Sequence, residues 1–156
     1  MTPTAASRVR VRRAALAAVT VVLAVAANIG IGPAHAEPVA TVPSADQLTT
    51  QVSVIFDIDS DRIERASYLE AGDAAIPVAD AIGGPMAQHR SMVSMRVENP
   101  TRNGDRLNSQ LVMAVMGIGT QSRELEWIEQ GGTWRLSTGS LCNIYRETSR
   151  ASNCPL

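Results

Sequence analysis

An α+β fold is what this sequence predicts: N-terminal helices packed on a four-stranded antiparallel meander sheet, with a short helix at the C-terminus. Three observations lead to it. Apolar residues recur with a helical period between residues 44 and 84, then with a period of two between 93 and 138. Glycine- and proline-containing clusters punctuate the second half at intervals that suit hairpins. The stretch is one domain's worth of chain, and helices followed by a run of strands place the helices on one face of an antiparallel sheet.

Ahead of that domain lies a segment with another purpose. Arg8, Arg10, Arg12 and Arg13 precede an apolar run from Ala14 to Ile31, interrupted only by Thr20, Asn28 and Gly30. Ala34-His35-Ala36 then places small residues three and one positions before Glu37. This is the three-part plan of a cleavable secretory signal peptide: the arginines hold the cytoplasmic end, the apolar run enters the membrane, and the small residues fit the peptidase. Residues 1–36 are therefore expected to be removed between Ala36 and Glu37, leaving a secreted or extracytoplasmic protein with no membrane attachment. The apolar run is nearly long enough to span a bilayer. The Ala-x-Ala site, and the lack of a basic cluster after it, favour cleavage over a retained anchor. Arg12-Arg13 is followed by Ala-Ala-Leu, so general and twin-arginine export both stay open. No cysteine lies beside the cleavage site, which argues against a lipid anchor.

Residues 37–43 read as a linker, with Pro38 and Pro43 discouraging regular structure, and the domain proper runs over 44–156. Ser44-Ala45-Asp46-Gln47 is a capping box, and Leu48, Val52, Ile55 and Phe56 form one apolar stripe, so a helix is expected over about 44–57. Ser60 or Asp61 is positioned to cap a short helix carrying Ile63, Ala66 and Leu69, ended by Gly72. Ile76, Val78, Ala79 and Ile82 suggest a third helix with Pro77 in its first turn, stopped by Gly83-Gly84-Pro85. Val93, Met95 and Val97 then alternate with Ser94, Arg96 and Glu98, a half-buried strand. A turn is expected over Asn99–Gly104, a second strand over Arg106–Met116 with its last half apolar on both faces, and a loop over Gly117–Ser122. Glu124–Gln130 and Thr133–Thr138 complete the meander around Gln130-Gly131-Gly132, with Leu125, Trp127, Trp134 and Leu136 facing inward. Leu141–Arg150 is read as the last short helix.

Charge narrows the partners. The mature stretch holds all 15 acidic residues but only 10 of the 14 arginines, a net charge of −5. That argues against nucleic acid and against an anionic membrane surface. Its two cysteines, Cys142 and Cys154, form an even pair in an exported chain and are read as a disulfide, since a metal site needs more ligands and a redox motif closer spacing.

Particular segments support a family resemblance. Pro43-Ser44-Ala45-Asp46-Gln47-Leu48, Ser67-Tyr68-Leu69-Glu70-Ala71-Gly72, the strand from Met92 to Asn99, and Glu129-Gln130-Gly131-Gly132-Thr133-Trp134-Arg135-Leu136-Ser137 occur in that order. Together they resemble the mycobacterial low-molecular-weight secreted antigen family over roughly 43–141. The resemblance implies a small exported actinobacterial protein of one domain. It also implies a cone-shaped, cystatin-like fold similar to that of nuclear transport factor two and the SnoaL-type cyclases. It brings no catalytic residues to carry over. The Cys142…Cys154 tail departs from the family pattern and reads as a local addition.

Candidate chemistry is sparse. Asp57-x-Asp59-x-Asp61 has the spacing of the first calcium ligands of an EF-hand, but Arg62 stands where glycine is needed and Tyr68 where a bidentate glutamate is needed. His89 is the one histidine of the mature stretch and is read as an exposed loop residue. Met86, Met92, Met95, Met113 and Met116 suit either core packing or an adaptable apolar surface. No phosphate loop, nucleophile elbow or dinucleotide fingerprint is present, so no catalytic, cofactor-binding or metal residues are expected. The leading expectation is a non-enzymatic domain acting through surface or host binding. Its rival is a small-molecule binder or isomerase-like enzyme in the mouth of the cone, which requires at least two of Tyr68, Asp73, Asp80, His89, Asp105 and Tyr145 to converge on a cavity. A homodimer formed through the apolar half of the second strand is a third possibility.

Overall fold

The computed structural model describes residues 41–156. The signal segment, its cleavage point at Ala36–Glu37 and most of the 37–43 linker lie outside the described residues. Helix α1 spans Ala45–Phe56 and α2 Arg62–Ser67; a 3₁₀ turn over Gly72–Ala75 leads into α3, Ile76–Gln88. Strands β1 (Val93–Asn103), β2 (Arg106–Val115), β3 (Gly119–Gln130) and β4 (Thr133–Leu136) follow, then α4, Thr138–Ser149. The sheet is an antiparallel meander in the order β1-β2-β3-β4, curled into a half-barrel. The α+β class, the leading helices and the closing helix are all as the sequence predicts.

Local chemistry sets the helix starts. Ser44 accepts from the Gln47 amide while Gln47 Oε1 accepts from the Ser44 amide, the reciprocal box that relieves two of the free N–H groups at the start of α1. Asp61, not Ser60, caps α2 by accepting from the Glu64 amide. Ser137 caps α4, three residues earlier than the periodicity indicates, and the Glu70 carboxylate accepts from the Thr138 amide beside it.

The stripe Leu48, Val52, Ile55 and Phe56 is buried as expected, against an inner sheet face where Val97, Leu125, Trp127, Trp134 and Leu136 are buried and Val93 and Met95 half-buried. Leu69, Ile76, Val78 and Ile82 fill the space beside them, and Leu141 and Ile144 of α4 close it. Both indoles find an acceptor, as buried N–H groups must. Trp127 donates to Ser109 Oγ at 2.9 Å, and Trp134 to the Thr41 carbonyl at 3.0 Å. In the ladder Trp127 faces Leu136 and Trp134 faces Glu129, so the two tryptophans are diagonal neighbours, core anchors rather than a ligand platform.

Four expectations are corrected. Gly83-Gly84-Pro85 does not stop α3, which runs on to Gln88. A Cβ on Gly83 would sit 2.1 Å from the Phe56 carbonyl oxygen, so that glycine is there for the close approach of α3 to the end of α1. Asn99–Pro100 is not the hairpin turn but an irregularity within β1, where the register shifts between Glu98 and Thr101 and Asn99 takes a φ of 53°. The turn itself is Gly104-Asp105. Residues 119–122 are strand, since the β2–β3 register continues to Val115 opposite Gly119. Finally, of the apolar set expected inward, Ala66 and Leu69 pack on the core but Ile63 faces solvent at 79% exposure, and Arg65 is buried instead.

Both outer strands are tied to neighbouring segments. The Val97 amide donates to Thr49 Oγ1 of α1 at 2.8 Å. On the far side, Leu69 bridges Leu136 in parallel, with the Leu136 amide donating to the Tyr68 carbonyl and the Glu70 amide to the Leu136 carbonyl.

Candidate functional surface

The six polar residues on which an enclosed site depends are dispersed. Asp73 is held by Arg62 through Nε at 2.7 Å and Nη2 at 3.0 Å, on the surface; those hydrogen bonds lower the Asp73 pKa and raise that of Arg62. Asp80 accepts from Arg65 Nη2 at 2.6 Å, and Arg65 Nε donates to the Ile55 carbonyl at 3.0 Å. This pair therefore ties α2 to α1 and α3. Asp105 lies in the exposed β1–β2 turn, and His89 is the exposed C-terminal cap of α3, as expected of it. Tyr145 packs half-buried against the core. Tyr68 borders a recess of about 390 Å³ between α1 and the β3–β4 hairpin, next to Gln51 and Trp134, and none of the other five lines it.

The Asp57, Asp59 and Asp61 carboxylates serve three structural ends. Arg90 Nη2 donates to Asp57 Oδ1 and to Asp59 Oδ2, each at 2.7 Å, tying the α1–α2 loop to the end of α3. The Asp57 pKa is lowered, first by the Asp59 backbone N–H and further by Ser60 and Arg90. Asp61 is spent on its cap. Among the described residues no group of three or more His, Cys, Asp or Glu side chains is placed to hold a metal ion. Cys142 and Cys154 are joined, with their Cα atoms 5.4 Å apart.

What the fold leaves largely open is the outer face of the sheet, where Val112, opposite Arg96 and Ser122, is the buried exception. Residues opposite each other in the ladder share a face, and two polar rungs cross it: Thr101, Asn108 and Glu126, then Glu98, Gln110 and Glu124. With Asn99 and, from α4, Asn143, the residues of both rungs other than Glu98 line a trough of about 510 Å³. The irregularity at Asn99 is what brings β1 into it, for a register shift re-aims the side chains that follow. Glu126 is paired with Arg106 and Glu98 with Arg96.

Along the same face, toward the β2–β3 turn, the last rung is small and uncharged. Ser94 lies opposite Ala114 and Ala114 opposite Thr120. At the tip Met92, Met116 and Ile118 are 44%, 69% and 77% exposed, around a recess of about 680 Å³ lined by no charged residue. The methionine group thus divides. Met86, Met95 and Met113 pack on the core, while Met92 and Met116 face solvent. Period-two alternation already places Arg96, Glu98, Glu124 and Glu126 outward. The part of Asn99 has no signal in that pattern, because a bulge breaks the alternation from which faces are read.

No curated protein and no solved structure gives a significant match to the chain. A family model does match, over residues 41–152, from the linker before α1 to just past α4: that of the low molecular weight antigen MTB12, C-terminal domain. The match takes in every described helix and strand, including the hairpin and the Ser67–Gly72 segment that carry the resemblance in the sequence, and the chain belongs to this family of low molecular weight antigens.

Proposed function

We propose that this chain is an exported, non-enzymatic binding domain that works outside the cytoplasm through the uncovered outer face of its sheet. The observation that carries the reading is the contrast between the two faces. The inner face is filled by aliphatic side chains and two tryptophans. On the outer face Ser94, Arg96, Asn108, Gln110, Thr120, Ser122 and Glu124 are all exposed. An exposed apolar tip beside such a face is a feature of contact sites more than of bare surface.

Export is supported from two sides. The first 36 residues have the composition of a signal peptide, and the joined cysteines suit an oxidising compartment. No helix among the described residues is long and apolar enough to cross a membrane. The experiment is expression in an actinobacterial host, with N-terminal sequencing and intact-mass measurement of the protein from the culture medium. The expected product begins at Glu37 and carries no free thiol. Protein retained in the membrane fraction with Met1 in place overturns the reading.

A further inference from the structure

We propose that the trough on the outer face binds a hydroxyl-rich ligand, a glycan chain; this rests on the reading of the chain as an extracytoplasmic binding domain and names its ligand class. Asn99, Asn108, Gln110 and Asn143 come from β1, β2 and α4, and all four are exposed. The Asn143 side-chain oxygen accepts from Arg146 Nη2, so that residue presents its amide N–H groups as donors. The Asn99, Asn108 and Gln110 amides offer both donors and acceptors, the pairing that adjacent sugar hydroxyls, each a donor and an acceptor, can meet. Glu124 adds an exposed carboxylate opposite Gln110.

Other ligand classes fit the trough poorly. An anion meets the carboxylate of Glu124 and that of Glu126, which already holds Arg106. A divalent ion lacks a ligand set, since no group of three suitable side chains exists among the described residues. An apolar ligand leaves the amides desolvated and unpaired, at a cost for each. An added peptide strand needs the free N–H and C=O row of a sheet edge. This trough instead crosses β2, whose backbone groups are spent on both sides in pairing with β1 and β3. A chain of sugar rings lying across the rungs, toward the first turn of α4, uses what is present. No aromatic residue lines the trough, so each ring is held weakly. Useful strength then comes from a polymer that offers many contacts.

The test is a titration of the ¹⁵N-labelled chain with maltohexaose, cellohexaose and chitohexaose, following side-chain amide signals. With at least one of the three, the signals of Asn108, Gln110 and Asn143 are expected to move, while the Trp134 indole signal stays still. N108A combined with Q110A is expected to weaken that binding about tenfold or more while leaving the thermal midpoint unchanged, because both side chains are exposed. No movement with any of the three sugars overturns the inference, as does equal binding by the double variant. Stronger movement of the same signals with an uncharged serine- and glycine-rich hexapeptide overturns it in favour of a peptide ligand. Each of these results leaves the N-terminal sequence of the exported protein untouched, so a failure here is distinct from a failure of the export reading.

Discussion

Arg65, a residue to which periodicity gives no part, decides local structure through its side chain. It is 3% exposed, and its guanidinium spans from the Ile55 carbonyl at the end of α1 to Asp80 on α3. A buried charge is tolerated only where its partners are in place. Asp80 is itself 46% exposed at the side chain, so solvent weakens the attraction, and the pair is worth less than a fully buried one. Removing Asp80 nevertheless leaves a guanidinium inside with one partner lost. Asp80→Ala is expected to cost about 1–3 kcal/mol, the range for a hydrogen bond to a charged group. Arg65→Ala is expected to cost at least as much, since it also uncovers the Ile55 carbonyl and removes the packed stem. Urea midpoints with an unchanged slope would measure both; a loss below 0.5 kcal/mol for each would show the pair to be incidental. Asp80 is one of the six residues that an enclosed site would need. Its part in the structure is to neutralise Arg65.

Two adjacent glycines in α3 make the same point for an element. Gly83-Gly84-Pro85 reads as a helix stop by composition, and the stop does not occur. Gly83 meets the Phe56 carbonyl across the α1–α3 contact, with no room for a Cβ, whereas nothing lies within 4 Å of a Cβ on Gly84. The two substitutions therefore differ in sign. Gly83→Ala is expected to destabilise by about 3 kcal/mol, the upper part of the overpacking range, because backbone must move. Gly84→Ala is expected to stabilise by about 0.5–1 kcal/mol, the helix-propensity gain of alanine over glycine. Thermal unfolding of the pair checks it, and equal shifts would refute the packing account. This separates what the sequence carries from what it does not. Capping boxes and periodicity are local and survive folding, so α1, the inward alternation of β1 and the β3–β4 hairpin stand where they were expected. A glycine demanded by a neighbouring helix, a bulge at Asn99, or an arginine buried in place of Ile63 depends on residues distant in the chain. The trough is half legible for the same reason. Alternation puts Asn108, Gln110, Glu124 and Glu126 on one face, but only tertiary structure adds Asn99 and Asn143 to them.

For the molecule as a whole, the C-terminal tail links stability to location. Beyond Arg150, which takes a left-handed φ of 53° at the end of α4, the chain turns back so that Cys154 reaches Cys142 on the buried side of that helix. Cys154 packs against the core cluster, so the bridge fastens both the tail and α4. The two cysteines are 12 positions apart. Closing so short a loop removes conformations from the unfolded chain and contributes about 3 kcal/mol on the loop-entropy account. Set against a typical total of about 5–15 kcal/mol for a domain, that is a substantial share. In a reducing cytoplasm the bridge is open and the chain is correspondingly less stable; in an oxidising compartment it closes and the domain gains its full stability. The expected result is that dithiothreitol lowers the urea midpoint of the wild-type domain to that of C142S combined with C154S, and leaves that double variant unchanged. The double variant should still fold, since its core does not depend on the bridge, and it should show the same sheet signals by NMR. If reduction leaves the wild-type midpoint where it was, the tail is an ornament on α4, and the link between oxidation and stability is absent.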